Sequence, residues 1–239
     1  MIRASVAMAS YNGEKYIKEQ IETILAALGA EDELVVSDDG STDKTREIVQ
    51  EFAQKDDRVH LIECLGCGVK KNFENAILAC RGEYIFLADQ DDLWKKEKLE
   101  GVLKAFEEKK CRIVVHDAVV VAEDGKEVLW DSFFAWRNSG AGAVKNIWKN
   151  TYIGCCMAFK RDLLERIIPV PNNIEMHDQW IGVINDLQKG GTYFLPEKYL
   201  LYRRHGDNAS SMKHYGIGKM ITNRLTFLWE LAKRFLKRK

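Results

Sequence analysis

The stretch Tyr84-Ile-Phe-Leu-Ala-Asp-Gln-Asp-Asp-Leu-Trp94 joins an apolar run of strand length to three closely spaced carboxylates, Asp89, Asp91 and Asp92. Carboxylates at the end of a buried strand repel one another, so this cluster is costly unless a cation or strong donors lie beside it. Hard oxygen ligands at close spacing suit Mg2+ or Mn2+, which usually carry phosphate substrates as co-ligands. The alternative is a solvated loop that begins with an acidic cap for the next helix.

Strands and helices alternate through the first half of the chain. Short buried-type runs alternate with segments of helical spacing. The predicted strands are 2–9, 33–37, 59–63 and 84–88, and the predicted helices are 14–28, 44–54, 72–80 and 95–109. Four alternations at short spacing favour an α/β fold with a parallel, doubly wound sheet and right-handed crossovers.

Polar clusters follow three of these strands. They are Ser10-Tyr11-Asn12, Asp38-Asp39 and the acidic cluster of the opening stretch. In open parallel sheets, ligands bind beyond the carboxyl ends of the strands. A polar loop can serve solubility alone, but three clusters at one edge predict a binding site there.

The second half of the chain is less regular. Strands are predicted over 112–121, 152–159, 192–195 and 199–205, and a helix over 177–187. Residues 131–149 are rich in aromatic side chains and contain Gly140-Ala-Gly142, which favours a mobile segment near a site or an irregular surface cover. No linker divides the chain, so we expect one domain over residues 1–215, followed by a basic helix (216–239).

Composition excludes several classes of protein. The chain has 239 residues and a formal net charge of zero, so no global field attracts nucleic acid. Six scattered cysteines and the lack of a signal peptide predict free thiols in the cytoplasm. Cys64 and Cys67 have the spacing of half a zinc site, but no second pair completes it. No apolar run is long enough to span a membrane.

Four stretches together resemble the family 2 glycosyltransferases, which have the GT-A fold. The stretches are residues 5–13 (SVAMASYNG), 35–43 (VVSDDGSTD), 72–75 (NFEN) and 82–94 (GEYIFLADQDDLW). Their order and spacing agree over residues 1–110, and the agreement is weaker afterwards. The resemblance implies a Rossmann-like domain with a mostly parallel central sheet, a nucleotide-binding half (1–110) and an acceptor-side half (111–215). The Asp-Gln-Asp-Asp-Leu-Trp form is most similar to bacterial enzymes that build surface polysaccharides, including rhamnosyltransferases.

The resemblance also implies a metal site for Mn2+ or Mg2+ at the acidic cluster. Asp91 is the first protein ligand, Asp92 supports the metal or its waters, and Asp89 contacts the ribose or orients the site. His205, after the last core strand, completes the metal shell in this scheme. A surface or structural role for His205 is the alternative.

The nucleotide pocket is expected at the first two strand ends. Tyr11 offers a planar face for stacking a base, although it can also be a packing aromatic. Asp39 can accept the N3–H of uracil or thymine, whereas N3 of cytosine is itself an acceptor, so UDP- or dTDP-sugars are favoured over CDP-sugars. By resemblance, further contacts with the nucleotide come from Ser10, Asn12, Lys71 and Asn72.

The acceptor hydroxyl needs a base, and Asp178 in Met-His-Asp-Gln-Trp180 is the candidate, mainly by resemblance. An N-capping role for Asp178 is the alternative. The other residues expected to line the donor and acceptor pocket are Gly154, His177, Trp180 and Trp94. Of these, His177 can hydrogen-bond Asp178 or the diphosphate, and Trp180 either walls the acceptor or packs. The expected reaction is a single in-line displacement with inversion at the anomeric carbon.

The C-terminal segment 219–239 carries seven Lys or Arg residues against one Glu, with apolar residues at helical spacing. One interpretation is an interfacial helix on the anionic inner face of the plasma membrane, which suits a lipid-linked acceptor. The other is a helix that packs on the domain or on a second copy in a homodimer.

The sequence therefore predicts a metal-dependent, inverting glycosyltransferase that acts on a glycan or a lipid-linked acceptor. A nucleotidyltransferase-like enzyme is an alternative, but the Gly-rich loop with a lysine that such enzymes use is missing near residues 10–13. A sugar-nucleotide-binding subunit without catalysis is another alternative, against which the intact carboxylates argue.

Overall fold

The computed structural model describes residues 2–188, 190–206, 208 and 216–236, and these residues form one nine-stranded sheet flanked by helices. The strands are β1 (Ala4–Ser10), β2 (Asp32–Asp38), β3 (Val59–Glu63), β4 (Tyr84–Ala88), β5 (Leu93–Trp94), β6 (Ile113–Val121), β7 (Val128–Trp130), β8 (Met157–Lys160) and β9 (Thr192–Arg203). The helices are α1 (Ile17–Ala27), α2 (Thr45–Lys55), α3 (Val69–Ala79), α4 (Lys98–Lys109), α5 (Phe133–Arg137), α6 (Ala143–Trp148), α7 (Leu164–Ile167), α8 (His177–Leu187) and α9 (Ile217–Leu236).

The sheet has the strand order β3-β2-β1-β4-β8-β6-β9-β5, and β7 pairs with β6. The first four strands are parallel, which confirms the prediction for the N-terminal half. Strand β8 runs antiparallel to both β4 and β6, so the complete sheet is mixed. Sequence patterning did not reveal this reversal because β8 is an apolar, buried segment like the parallel strands beside it.

The direction of strand order reverses between β1 and β4, and this reversal creates a crevice at their carboxyl ends. Strand β1 is almost completely buried because helices cover the sheet and Ile17, Ile21 and Ile24 of α1 point into the core. Burying each such side chain stabilises the fold by about 1.5–3 kcal/mol relative to leaving it exposed. A rigid core thus holds the polar strand ends in place.

The irregular second half contains elements that the sequence did not predict. Residues 131–149 include the short helices α5 and α6. The predicted strand 152–159 begins as a 3-10 turn at Gly154–Cys156 and becomes strand only at β8. The two strands predicted over 192–205 are one strand, β9, whose register against β6 shifts near Pro196. Proline has no N–H to donate, which explains the interruption in the ladder.

Two of the six cysteines form a disulfide, which links Cys64 to Cys67. The prediction of free thiols is wrong for this pair, since adjacent strand and helix ends bring the two residues together. The remaining four cysteines are free and buried. Within the described part of the chain, no helix has the length and apolar character needed to cross a bilayer.

Candidate active site

Asp38 organises the loop that follows β2. Its Oδ1 accepts the amide N–H groups of Gly40 (3.1 Å) and Ser41 (2.8 Å), and its Oδ2 accepts the Ser41 hydroxyl (2.6 Å). The Ser10 hydroxyl, at the end of β1, also donates to Oδ2 at 2.9 Å. Ser10 is buried, so its side chain positions this loop and does not face a nucleotide in the crevice.

The turn after β1 is bound to both neighbouring loops. The side-chain amide of Gln90 accepts from the Tyr11 amide (2.9 Å) and donates to the Tyr11 carbonyl (3.0 Å). Asn12 accepts from the Thr42 amide at 2.9 Å. A Cβ at Gly13 would lie 2.3 Å from Gln90 Oε1, so a larger residue there would displace the Gln90 side chain from Tyr11. These contacts leave Tyr11 54% exposed, so its ring can stack against a base.

Asp39 lies beside the disulfide loop. Its Oδ1 accepts from the Cys67 amide at 2.6 Å, and its Oδ2 accepts from the Gly68 amide at 2.9 Å. A carboxylate offers about four lone-pair positions, so both oxygens can still accept another hydrogen bond. The disulfide loop therefore fixes the orientation of the residue predicted to recognise the base.

Two residues of α3 that were predicted to touch the nucleotide have other partners. Asn72 is buried and donates to the Ser10 carbonyl at 3.0 Å, so it supports the end of β1 from below. The ammonium of Lys71 lies 2.9 Å from Glu74, one turn along the helix. Both residues lie at the third stretch that resembles the family. The burial of Asn72 and the ion pair of Lys71 indicate that they position the site.

Asp91 and His205 meet, although 114 positions separate them in the sequence. His205 Nε2 lies 2.7 Å from Asp91 Oδ2, and the imidazole stacks on Tyr16 with 4.6 Å between ring centroids. Asn208 also donates to Asp91 Oδ2, at 3.2 Å. The structure thus brings together the two residues that the family resemblance assigned to one metal.

Asp92 is turned into the protein, away from solvent. Its Oδ1 accepts the Arg203 amide at 3.0 Å, while Oδ2 has no hydrogen-bond partner within the described residues. Burial, and then the charge of Asp91, raise the pKa of Asp92 well above its usual range. Because Arg203 is two residues before His205, Asp92 anchors the segment that presents the imidazole.

Asp89 is the member of the acidic cluster that is affected by the charges of both Asp91 and Asp178. One ligand atom from each of Asp89, Asp92 and Cys155 lies within 4.8 Å of the others. Burial raises the pKa of Asp89, and the charges of Asp91 and Asp178 raise it further. The effect of Asp178 shows that the predicted base lies near Asp89.

Lys98 is a buried cation beneath the acidic cluster. Its ammonium donates to the Cys155 carbonyl at 2.7 Å and lies 3.7 Å from the centroid of the Trp94 ring. Burial lowers the pKa of Lys98 to about 8. Trp94 is only 5% exposed, so it packs in the core between Phe86 and Lys98 and does not line the donor or acceptor pocket as predicted.

Asp178 lies in the first turn of α8, and Met176 occupies the N-cap position. Its Oδ1 accepts from the Gln179 amide at 2.5 Å and from the side chain of Asn150 at 3.2 Å. Burial raises the pKa of Asp178 to about 6. The N-cap alternative is therefore excluded by its position, and the residue has the properties of a base that works near neutral pH.

His177 precedes Asp178 but makes no hydrogen bond to it. The imidazole stacks on Phe73 with 4.1 Å between centroids, and neither ring nitrogen has a hydrogen-bond partner among the residues described. Burial lowers the pKa of His177 to about 4, so the ring is neutral. A Cβ at Gly154 would lie 3.3 Å from His177 Nε2, so this glycine gives the imidazole its space.

Trp180 is completely buried, and its indole N–H donates to the Ile167 carbonyl at 2.8 Å. Of its two predicted roles, packing is therefore the one that the structure supports, since a wall of the acceptor site needs an accessible ring.

The donor set at Asp91 and His205 fits a divalent cation. A carboxylate oxygen and an imidazole nitrogen converge from two separate strand ends, and both residue types are common metal ligands. Asp92 does not join them because its Oδ1 is bound to the Arg203 amide and its side chain is buried. In this arrangement Asp91 and His205 would hold the ion, and Asp92 would position them.

The family model described as Glycosyl transferase family 2 matches residues 5–168. The chain belongs to glycosyltransferase family 2. The matched residues include the crevice from β1 to β4 and the acidic cluster, whereas Asp178 and His205 follow them in the sequence. As a member of this family, the protein is a glycosyltransferase, and the GT-A architecture implied by the resemblance is confirmed.

Two relatives illustrate the family at the level of sequence. This glycosyltransferase is 32% identical over 215 residues to TuaG of Bacillus subtilis, a glycosyltransferase assigned to teichuronic acid biosynthesis, and the match covers 87% of this chain and 82% of TuaG. It is 26% identical over 214 residues to the dTDP-rhamnosyl transferase RfbG of Shigella flexneri, covering 84% of this chain and 72% of RfbG.

Solved structures show the same fold at lower identity. The S. aureus TarS fragment in complex with UDP-GlcNAc matches with a TM-score of 0.72 and 20% identity, over 95% of this chain and 66% of that one. The mannosyltransferase PcManGT from Pyrobaculum calidifontis, in complex with GDP-Man and Mn2+, matches with a TM-score of 0.64 and 19% identity, over 97% of this chain and 64% of that one.

Three residues of the site were missed by sequence reasoning: Gln90, Lys98 and Asn150. Gln90 lies between Asp89 and Asp91, and this position inside the acidic motif could have identified it as a site residue. Lys98 looks like any lysine of a charged helix, and Asn150 lies in a segment with weak periodicity. Their roles depend on burial and on distant partners, which local sequence does not encode.

Proposed function

We propose that this glycosyltransferase moves a sugar from a UDP- or dTDP-sugar to a hydroxyl of a glycan or lipid-linked acceptor, with inversion, in the synthesis of a bacterial surface polysaccharide. The assignments of TuaG and RfbG support this class of product. The observation that carries the proposal is the arrangement of Asp91, His205 and Asp178. His205 contacts Asp91. Asp89 is close enough to be affected by the charges of both Asp91 and Asp178, and burial raises the pKa of Asp178 to about 6.

The donor base would be held at the first two strand ends. Tyr11 offers an exposed ring, and Asp39 offers fixed carboxylate oxygens that can accept the N3–H of uracil or thymine. Cytosine presents an acceptor at the same position, so it would face the carboxylate without a hydrogen bond. An unpaired acceptor in such a site typically costs about 1–3 kcal/mol.

The diphosphate would lie near Asp91 and His205. Mn2+ or Mg2+ held by these residues would stabilise the negative charge that grows on the leaving nucleoside diphosphate. The hydrogen bond from the Arg203 amide to Asp92 fixes the backbone two residues before His205 and so positions its imidazole. Lys98 supplies a buried positive charge beneath the carboxylates, which reduces their mutual repulsion.

Asp178 would take the proton from the acceptor hydroxyl as that oxygen attacks the anomeric carbon. With a pKa of about 6 it is largely ionised at neutral pH and still basic enough to accept a proton. Asn150 orients its carboxylate. One displacement from the face opposite the leaving diphosphate inverts the anomeric configuration.

The two alternative functions are less well supported. Membership of glycosyltransferase family 2 argues against a nucleotidyltransferase. The ionised carboxylate of Asp178 destabilises the fold because it is buried. A binding subunit without catalysis would have no reason to keep such a group.

Binding of nucleotides tests the donor assignment. In thermal-shift titrations with Mn2+, we expect UDP and dTDP to stabilise the protein and CDP to bind more weakly. Tyr11→Ala should weaken UDP binding roughly tenfold, because stacking on an aromatic ring contributes about 1–3 kcal/mol per base. Val128→Ala, at an exposed residue of β7, serves as the control. Equal affinity for CDP, or unchanged UDP binding by Tyr11→Ala, would overturn this assignment.

A further inference from the structure

The apolar side of helix α9 faces solvent. Its exposed residues recur every three or four positions and form one stripe along the helix. The large apolar members of the stripe are Ile217, Ile221, Leu225, Leu228, Trp229, Phe235 and Leu236. Leu225 and Trp229 are 62% and 61% exposed. In a helix that merely covers a domain, the apolar stripe would face inward.

The opposite side of α9 is fixed to the domain. Phe227 and Leu231 are buried, and Phe227 meets Trp180 of α8 edge-on at 5.9 Å between ring centroids. Arg234 donates to the carbonyls of Arg166 (2.8 Å) and Ile168 (2.7 Å). The exposed stripe is therefore presented in a defined orientation.

Helix α6 extends this apolar surface. Val144 and Trp148 are 83% and 70% exposed. The guanidinium of Arg224, from α9, lies 4.3 Å from the centroid of the Trp148 ring and donates to the Trp148 carbonyl at 2.8 Å. We call the exposed side chains of Val144, Trp148 and the α9 stripe the α6–α9 face. It is larger than the isolated apolar residues that ordinary protein surfaces expose.

The positive charge of the segment that carries α9 favours an anionic partner for the α6–α9 face. Residues 219–239 carry seven Lys or Arg and one Glu, a net charge of +6, and the rest of the neutral chain therefore carries −6. Lys237, Arg238 and Lys239 contribute to this charge, although they lie outside the described residues. The single acid, Glu230, is bonded to Lys233 (2.8 Å) and Asn173 (2.9 Å). Lys149, beside Trp148, is exposed and adds to the basic rim.

We propose that the α6–α9 face docks on a bilayer that contains anionic lipids. An apolar stripe with a basic border and exposed tryptophans matches the boundary between headgroups and acyl chains. A second copy docked through the same face would bring the basic residues of the two α9 helices together, which is unfavourable. Anionic headgroups would instead neutralise this charge.

The position of the face bears on the acceptor. Trp148 is two residues before Asn150, which donates to Asp178, and α9 packs on α8, whose first turn carries Asp178. Docking would therefore hold the acceptor side of the crevice near the membrane surface. This part of the inference rests on the proposed function, and it favours a lipid-linked acceptor over a free glycan.

Vesicle flotation of the full chain tests docking without any need for turnover. The vesicles contain either phosphatidylcholine alone or equal parts of phosphatidylcholine and phosphatidylglycerol, at low and at high salt. We expect flotation with the anionic vesicles at low salt, and less with the neutral vesicles or at high salt. The combined variant Ile221→Gln, Leu225→Gln, Trp229→Gln should lower the bound fraction roughly tenfold or more.

A matched control removes exposed apolar side chains elsewhere. Leu78→Gln with Val128→Gln changes residues that are 55% and 56% exposed on α3 and β7, and it should float like the unchanged protein. Circular dichroism and melting temperature should show that both variants fold. Three results would overturn the proposal: no flotation of the unchanged protein with anionic vesicles, equal flotation of the triple variant, or a dimer in solution that the triple substitution dissociates. If the unchanged protein floats with anionic vesicles but transfers no sugar, that result contradicts the proposed function and leaves the docking proposal standing.

Discussion

Asp178 is a buried carboxylate whose pKa is raised to about 6, chiefly by burial. Its partners are the Gln179 amide and the side chain of Asn150, and its charge raises the pKa of Asp89. His177, its neighbour, stays neutral in the working pH range because burial lowers its pKa to about 4. Glycosyl transfer should therefore fall as pH drops through about 6, where Asp178 takes up a proton.

Asp178→Asn should abolish base catalysis and stabilise the fold. We expect transfer to fall by roughly 100- to 10,000-fold, the usual contribution of a general base, with donor binding retained. Asp57→Asn, at an exposed aspartate, is the control for transfer and for melting temperature. Near-normal transfer by Asp178→Asn would contradict the assignment of the base.

The stability effect of Asp178→Asn has a definite sign. Because the folded-state pKa is above the unfolded value, the protonated carboxyl favours folding, and this advantage is lost as pH rises through about 6. The asparagine variant should exceed the parent in free energy of unfolding by about 1–3 kcal/mol at neutral pH. The difference should disappear below about pH 4, and urea denaturation at the two pH values measures it.

The residues that sequence could identify are those with a distinctive local context. The acidic motif indicated Asp91, and the family plan added His205, which contacts Asp91, and Asp178, whose charge acts on Asp89. Burial decided the rest. Four predicted site residues match the family motifs or lie beside them, yet they are buried and support the site from the core. They are Ser10, Asn72, Trp94 and Trp180. Whether a side chain points toward a ligand or a core depends on tertiary packing.

Among the elements, the disulfide loop between β3 and α3 shows how a short segment controls a distant contact. The bond between Cys64 and Cys67 closes the loop whose amides, at Cys67 and Gly68, hold both oxygens of Asp39. Opening the loop would allow these amides to move, and Asp39 would lose its fixed orientation.

Reduction of this disulfide should weaken nucleotide binding. We expect roughly three- to tenfold weaker binding of UDP by the double variant Cys64→Ser, Cys67→Ser, because the loop must then be ordered when the ligand binds. Calorimetric titrations with and without dithiothreitol measure the effect. The reductant should lower the affinity of the parent to the level of the variant and leave the variant unchanged. Identical affinities for the oxidised and reduced parent would contradict the role of the loop.

Element prediction succeeded where the chain alternates and failed where it does not. The spans of β3, β4 and α8 agree with the predicted ranges, because turn residues and periodicity mark their ends. The prediction divided strand β9 in two at Pro196, because a proline inside an apolar run resembles the end of a strand. The short helices α5 and α6 are too brief to show a helical period.

At the scale of the whole molecule, strand order explains why the site lies where it does. The reversal between β1 and β4 opens the crevice, and the arrival of β9 beside β6 brings His205 to the acidic cluster. The parallel arrangement of β1 to β4 was predictable from the alternation of strands and helices. The antiparallel insertion of β8 and the outward apolar stripe of α9 were not, because a buried strand and an amphipathic helix do not reveal their direction or the side that they bury.

Release of the nucleoside diphosphate from a panel of nucleotide sugars tests the central claim most directly. The assay compares the protein with Mn2+, with a chelator, and as Asp91→Asn, with Asp57→Asn as the control. We predict release from a UDP- or dTDP-sugar with Mn2+, its loss with the chelator and in Asp91→Asn, and normal release by the control. No turnover with any nucleotide sugar, or turnover that neither the chelator nor Asp91→Asn reduces, would contradict a metal-dependent glycosyltransferase at this site.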